Sequence, residues 1–177
     1  MNCTIRKWNM EDAQQLAALI NDKGVQDNLR DGIPYPYGCE DAEFFIRETL
    51  EADPYENFAF AIAAGDQVLG SIGIFRCGNI HFRTAELGYY VGRPYWGQGV
   101  GTSAVRQACS YVFQKTDILR IFAEPFAKNS ASCRVLEKAG FQLEGVLRSN
   151  AVKNGEIRDM KMYALLRQEW EINSREE

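Results

Sequence analysis

The chain has 177 residues, 46% of them hydrophobic, with five cysteines and a formal net charge of −4 at pH 7. This length and composition suit one folded domain, and the acidic balance provides no positive field to attract nucleic acid or anionic lipid. The cysteines are widely spaced without a C-x-x-C pair, so neither a disulfide framework nor a metal site is predicted. With no apolar signal core or membrane span in view, we predict a cytoplasmic protein.

The first half of the chain alternates between helical and strand-like patterns. Helical spacing of apolar residues predicts two short amphipathic helices, at residues 11–21 and 40–52. Four strands are predicted from alternating or continuous apolar runs, at residues 4–8, 58–64, 68–75 and 85–91. The turn signal Gly65-Asp66 joins two of these strands as a hairpin, which makes an antiparallel meander.

A loop between the first two helices is rich in turn formers and aromatic residues. It covers residues 31–38 and suits an ordered loop better than a linker. Two interpretations remain open at this stage, since such a loop either walls a substrate site or packs on the surface.

The second half of the chain repeats one unit, a strand followed by a polar or glycine-rich start and an amphipathic helix. The first unit ends in a helix at residues 103–113, and the second combines a strand at 118–123 with a helix that begins near Asn129 and stops at Gly140. Two such junctions side by side can form one split cleft. Strands at 141–147 and 157–166 complete a mixed sheet, and residues 171–177 form a polar tail.

The loop Trp96-Gly97-Gln98-Gly99-Val100-Gly101-Thr102 is typical of an anion-binding helix start. Alternating glycines let backbone N–H groups converge on a phosphate, and the helix adds its dipole and unpaired donors. No Lys-Ser/Thr pair follows Gly101, as a Walker loop requires, and the order G-x-G-x-x-G of dinucleotide-binding proteins is also missing. On the loop alone, a diphosphate cradle and a simple tight turn are equally open.

Taken together, several motifs resemble the GCN5-related N-acetyltransferases (GNAT), specifically the branch with the ribosomal-protein alanine and serine N-acetyltransferases. The resemblance runs from about Thr4 through Leu166. Its motifs are the Gly88-Tyr89-Tyr90-Val91 strand, the Tyr95–Gly101 loop, the Asn-x-x-Ser start at Asn129, Lys138-x-Gly140-Phe141, Glu144–Arg148 and the strand around Arg158-Asp159.

The resemblance implies an α/β (α+β) fold with a mixed, mostly antiparallel sheet of six to seven strands, flanked by about four helices. It implies a single acetyltransferase domain at residues 1–170, followed by the polar tail at 171–177. It also implies a bulged strand and a split acyl-CoA cleft, with the bulge at Gly88.

The resemblance further implies acetyl-CoA as the co-substrate and no metal. The pantetheine arm would lie in the split, bonded by the backbone of Val91 on one side and by Asn129 on the other. The Val91 N–H would also serve as the oxyanion donor. The phosphates would contact the loop residues Gly97, Gln98, Gly99, Val100, Gly101 and Thr102. They would also contact Arg134, whose alternative interpretation is a solvated residue on the helix surface.

Two side chains are candidates for proton transfer. Glu86 borders the cleft and is the candidate base, acting through water, although it can equally be a surface charge that pairs with Arg83. In many family members, a tyrosine seven residues after the Asn acts as the general acid, and this chain has Leu136 at that position. The acid role then falls to Ser132, whose other interpretation is a cap or a cofactor contact.

The sequence therefore predicts an acetyl-CoA-dependent N-acetyltransferase that works by direct attack, without a covalent enzyme intermediate. The branch resemblance favours the N-terminal α-amine of a ribosomal or other protein as acceptor. The alternatives are a small-molecule amine, such as an antibiotic or a polyamine, and a non-catalytic acyl-CoA-binding module. Nucleic acid and membrane are not expected as partners, and an oligomer is left open.

Overall fold

The structure, a computed structural model, describes residues 1–173, so residues 174–177 of the predicted tail lie outside it. Its seven strands are β1 Thr4–Arg6, β2 Asn57–Ala64, β3 Gln67–Arg76, β4 Thr84–Val91, β5 Arg120–Ala123, β6 Gln142–Lys153 and β7 Glu156–Leu166. They form one sheet in the order β1-β2-β3-β4-β5-β7-β6. Only β4 and β5 are parallel, and every other neighbouring pair is antiparallel. The predicted mixed, mostly antiparallel sheet is confirmed.

Six α-helices surround the sheet in the described part of the chain. They are α1 Ala13–Ile20, α2 Lys23–Gln26, α3 Cys39–Glu51, α4 Val100–Lys115, α5 Ser130–Lys138 and α6 Arg167–Asn173. Helices α1, α3, α4 and α5 match the four predicted helices. Helix α2 has only four residues, one of them buried, and so carries no amphipathic repeat to recognise. None of the described helices is long and apolar enough to span a bilayer.

Helix α6 crosses the predicted boundary between the domain and its polar tail. It continues past residue 170 to Asn173, so the first three residues of the predicted polar tail are helical. Trp170 packs against the core at the ring of Phe113, with ring centroids 5.5 Å apart. The boundary between a domain and a tail therefore stays a prediction.

Each face of the sheet carries its own hydrophobic layer. Helices α4 and α5 pack on one face, with buried residues such as Val105 and Leu136. Helices α1 and α3 pack on the other face, where Leu16 and Ile46 are fully buried. Because side chains alternate along a strand, each central strand contributes to both layers.

The strand β4 passes through the centre of the sheet without the bulge predicted at Gly88. Its register with β3 is continuous from Gly70↔Val91 to Arg76↔Ala85. Side chains keep their alternation through this point, since Leu87 and Tyr89 both face the α4 and α5 layer. The prediction of a bulge at Gly88 is therefore wrong for this pairing, and the register shifts lie instead in the pairs β2–β3 and β6–β7.

The predicted split lies between β4 and β5. Their parallel pairing extends only from Thr84↔Arg120 to Glu86↔Phe122, whereas β4 continues to Val91. Pro125 follows two residues after the end of β5 and has no N–H to continue a ladder. Beyond β5 the chain stays bonded to β7, since Lys161 N–H donates to the Pro125 carbonyl at 2.9 Å and Phe126 forms a bridge with Met160. The chain after β5 therefore follows β7 and leaves β4, and no distortion of β4 is needed.

A pair of glycine substitutions tests how tightly β3 and β4 are packed. A Cβ at Gly70 would lie 2.2 Å from the Tyr90 carbonyl oxygen, whereas one at Gly88 would meet nothing within 4 Å. We expect Gly70→Ala to lower the free energy of unfolding by about 1–3 kcal/mol, because the strands must shift apart. Gly88→Ala is the matched control and should change that free energy by less than about 1 kcal/mol. Urea unfolding curves measure both, and equal curves would contradict the packing described.

Candidate active site

The loop between β4 and α4 presents backbone donors at a helix start. Gly97 and Gly99 adopt φ of +73° and +79°, the left-handed region that favours glycine. Gly99 is the N-cap of α4 and gives no side-chain cap, so the N–H groups of the first helical turn have no side-chain acceptor. Residues 96–99 are exposed. The loop therefore presents backbone donors and the positive end of the helix dipole to one open surface, and anion binding there stays a prediction.

The start of α4 also joins the two strand-to-helix junctions. Gly101 is buried, and a Cβ there would lie 3.4 Å from the side chain of Val135 on α5 and 3.6 Å from the ring of Tyr89 on β4. The start of α4 therefore packs against both β4 and α5.

The edge of β4 that faces the split carries the peptide group of Val91. In β3–β4 the hydrogen-bonded pairs alternate, and Gly92 N–H donates to the Leu69 carbonyl at 2.8 Å. The peptide groups of Leu87, Tyr89 and Val91 therefore point away from β3. The carbonyl of Val91 accepts a hydrogen bond from the Trp96 indole at 2.7 Å. The donor that Val91 can offer to a ligand is consequently its N–H.

Asn129 caps the first turn of α5. Its Oδ1 accepts a hydrogen bond from the Ser132 N–H at 3.1 Å, which is the usual contact of a good N-cap residue. The side-chain oxygen therefore serves the helix, and the amide N–H groups are what Asn129 can offer to a ligand. Arg134 lies one turn further along α5 and is exposed.

Ser132 forms a hydrogen bond that the sequence analysis missed. Its Oγ lies 2.9 Å from the Oη of Tyr89. Burial raises the pKa of Tyr89 to about 12, so this phenol is protonated near neutral pH. The alternation of β4 placed Tyr89 on the side of α4 and α5, but nothing in the sequence indicated that α5 begins next to it.

Glu86 lies on the opposite face of the sheet from Tyr89, because the two are three residues apart on one strand. Its carboxylate accepts a hydrogen bond from the guanidinium of Arg30. The predicted alternative partner, Arg83, instead pairs with Asp117 at 3.3 Å, so the pairing of Glu86 with Arg83 is wrong, although Glu86 is ion-paired with a different arginine. Arg30 comes from the loop after α2 and is far from Glu86 in sequence, which is why the pattern of charges did not reveal the pair.

A second carboxylate, Glu124, lies beside Glu86. It follows β5 directly, and the parallel register pairs Glu86 with Phe122, so Glu124 extends on the same face. Its Oε2 is 3.4 Å from Nη2 of Arg30. Two carboxylates and one guanidinium therefore meet where β4 and β5 part, and sequence reasoning identified only Glu86.

The loop that carries Arg30 is tied to the turn between β6 and β7. Asp31 accepts a hydrogen bond from Lys153 at 2.7 Å, and Asp27 accepts one from Asn154 at 2.8 Å. The side chain of Lys153 is only 10% exposed. These contacts flank Arg30 on both sides and hold its backbone near Glu86.

The β6–β7 turn was missed because β6 was predicted to end at residue 147. Asn154 and Gly155 both have positive φ, which is the conformation of a tight hairpin turn. The Asn-Gly pair was therefore the available sequence signal. The predicted loop at residues 31–38 begins at Asp31, which bonds Lys153 and directly follows Arg30 at the split.

The described residues contain no group of three His, Cys, Asp or Glu side chains placed to hold a metal ion. All five cysteines are free thiols. At the split, Glu86 and Glu124 lie on one face with Arg30, and the phenol of Tyr89 lies on the other.

A family model described as an Acetyltransferase (GNAT) domain matches residues 2–142. The chain belongs to the GNAT family. Among curated relatives, YdaF of Bacillus subtilis (strain 168), provisionally named as a ribosomal N-acetyltransferase, is 31% identical over 176 residues, which cover 95% of this chain and 93% of YdaF. The prediction of a GNAT N-acetyltransferase is confirmed.

Two solved GNAT structures show how closely the fold is shared. RimL, a ribosomal L7/L12 α-N-protein acetyltransferase in complex with coenzyme A, superposes with a TM-score of 0.83 at 20% identity, covering 94% of each chain. The spermidine N-acetyltransferase of Vibrio cholerae, in complex with coenzyme A and spermine, gives 0.79 at 20% identity, covering 95% of this chain and 97% of that one. At this identity the likeness concerns the fold alone and does not identify the acceptor of the present GNAT protein.

Proposed function

We propose that this GNAT protein transfers the acetyl group of acetyl-CoA directly to a primary amine, and that the acceptor is the α-amine of a protein N-terminus. The observation that carries the reaction type is the split between β4 and β5, with anion-binding donors on one face and carboxylates on the other. The similarity to YdaF along 95% of the chain supports a protein acceptor.

The residues around the split fit a phosphorylated, extended thiol carrier. The first turn of α4, with Gly97 and Gly99 before it, offers backbone N–H donors to a diphosphate. The N–H of Val91 and the amide of Asn129 border the gap where a pantetheine arm can add as an extra strand. Arg134 is exposed on α5 and is available to a phosphate. Acetyl-CoA, when bound, supplies the thioester carbonyl that the amine attacks.

Glu86 takes the proton that the amine loses. Its carboxylate is 29% exposed, so water can lie between it and the amine. The neighbouring Gly88 has no side chain and leaves open space beside the strand. Arg30 occupies the approach to Glu86, and its exposed side chain must turn away before an amine can reach the carboxylate.

Val91 and Ser132 complete the transfer on the other side. The Val91 N–H stabilises the negative charge on the thioester oxygen. As the N–C bond forms and the C–S bond breaks, the bonding pair stays on sulfur. Ser132 gives its hydroxyl proton to that sulfur and takes one back from water. The hydroxide left by that water is neutralised by the amine proton that Glu86 accepted, so Glu86 and Ser132 both return to their starting forms and no covalent enzyme intermediate is formed.

A small polyamine is the second candidate acceptor. It is favoured by the paired carboxylates of Glu86 and Glu124, which carry more negative charge than the single guanidinium of Arg30 neutralises. A molecule with two or more ammonium groups can pair with both carboxylates after Arg30 moves. The shared fold of the spermidine enzyme is compatible with this acceptor but does not select it.

An acceptor panel tests the proposed reaction. The purified protein is incubated with acetyl-CoA and peptides beginning with Ala or Ser, free amino acids, polyamines or aminoglycosides, and free thiol release is measured. We expect release with the peptides, and mass spectrometry should place the acetyl group on the α-amine. The same peptides with a blocked N-terminus are the control. Thiol release with polyamines alone would show that the acceptor is a polyamine and not a protein N-terminus. No thiol release with any amine would contradict the proposed function.

Glu86→Gln tests the base. The substitution keeps the shape of the side chain but removes its ability to accept a proton, so kcat should fall by about 10²–10⁴-fold. Binding of acetyl-CoA, measured by calorimetry, should be unchanged. Asp117→Asn is the matched control, because it also removes an ion-paired carboxylate but lies away from the split. Equal kcat in both variants would show that Glu86 is only a surface charge.

Arg30→Gln tests whether the guanidinium blocks the amine site. An exposed ion pair contributes about 0.2–1 kcal/mol, so its removal should lower the acceptor KM by up to about fivefold with little change in kcat. Arg83→Gln is the control, since Arg83 pairs with Asp117 instead. A fall in kcat at constant KM would show the opposite role, in which Arg30 holds Glu86 in place.

A further inference from the structure

Tyr89 is held between the starts of α4 and α5 on the side of the sheet that faces the proposed thiol carrier. Its ring lies against Gly101 on α4, and its Oη is 2.9 Å from Oγ of Ser132 on α5. The Ser132 main chain is fixed in turn by the cap from Asn129. The Tyr89–Ser132 contact is therefore built from three elements that the fold places independently.

The direction of this hydrogen bond decides where the Ser132 hydrogen points. A hydroxyl has one hydrogen to donate and two lone pairs to accept with. A phenol is a stronger acid than an alcohol, so the favoured arrangement has Tyr89 donating and Ser132 accepting. The other acceptor near the phenol, the Ser132 carbonyl oxygen, is 3.5 Å from Oη, at the limit of a hydrogen bond. With its oxygen engaged by Tyr89, Ser132 keeps its own hydrogen for a partner in the cleft.

We propose that Tyr89 is a positioning residue, which donates a hydrogen bond to Ser132 and so directs the Ser132 hydroxyl hydrogen at the departing sulfur. This inference rests on the proposed function of Ser132. Tyr89 itself does not touch the sulfur and gives up no proton, because it acts only by orienting and polarising the Ser132 hydroxyl.

The pKa of Tyr89 is consistent with a permanent donor. Burial raises it to about 12, so the phenol keeps its hydrogen across the working range of pH. No further titratable group is needed for this role.

A double-mutant cycle of Tyr89→Phe and Ser132→Ala tests the inference. Tyr89→Phe keeps the ring and removes only the hydroxyl, so kcat should fall by about 3–10-fold, the effect of one ordinary hydrogen bond. The KM for acetyl-CoA should stay within about twofold of the parent value. The double variant should have the same kcat as Ser132→Ala alone, because Tyr89 acts through Ser132.

Tyr111→Phe is the matched control, since it removes a phenol from the other end of α4, where the ring contacts Phe60. Urea unfolding curves of all variants separate a loss of stability from a loss of kcat.

A parent-like kcat for Tyr89→Phe, or effects that multiply in the double variant, would overturn the inference and leave the proposed function intact. A parent-like kcat for Ser132→Ala would remove the acid assignment and the inference together, whereas a lack of acetyl transfer in the parent protein would remove the proposed reaction.

Discussion

The early end of the β4–β5 ladder is the constraint on which the candidate site depends. These are the only parallel neighbours in the sheet, and they pair over three residues each. Beyond Glu86, β4 is held by β3 alone and presents its other edge to the gap. This geometry places Glu86 and Glu124 at the parting point and Val91 at the far end of the exposed edge.

The split also separates charges between the two faces of the sheet. On the side of α4 and α5, uncapped backbone donors and a helix dipole favour an anion. On the other side, two carboxylates with one shared guanidinium favour a cation. This arrangement suits the proposed reaction, because an anionic phosphorylated donor and a cationic amine can each approach from the face that attracts it.

Much of the fold was predictable because its signals are local. Apolar periodicity predicted the four longer helices and all seven strands to within a few residues, apart from the extension of β6. The glycine loop before α4 and the Asn129 cap were equally readable, since positive φ and helix capping depend on neighbouring residues. The prediction of a bulge at Gly88 was wrong, because a glycine within a strand is also compatible with regular pairing, as between β3 and β4.

The family, the order of the elements and the two helix starts can be read from the amino-acid sequence, because each motif and each helix or strand signal is local. Which groups meet at the split depends on the tertiary packing. Arg30 reaches Glu86, Tyr89 reaches Ser132, and Lys153 reaches Asp31, each across a long separation in the chain. Such pairs depend on how separate elements pack on the sheet, and no local pattern of charge or hydrophobicity encodes that packing.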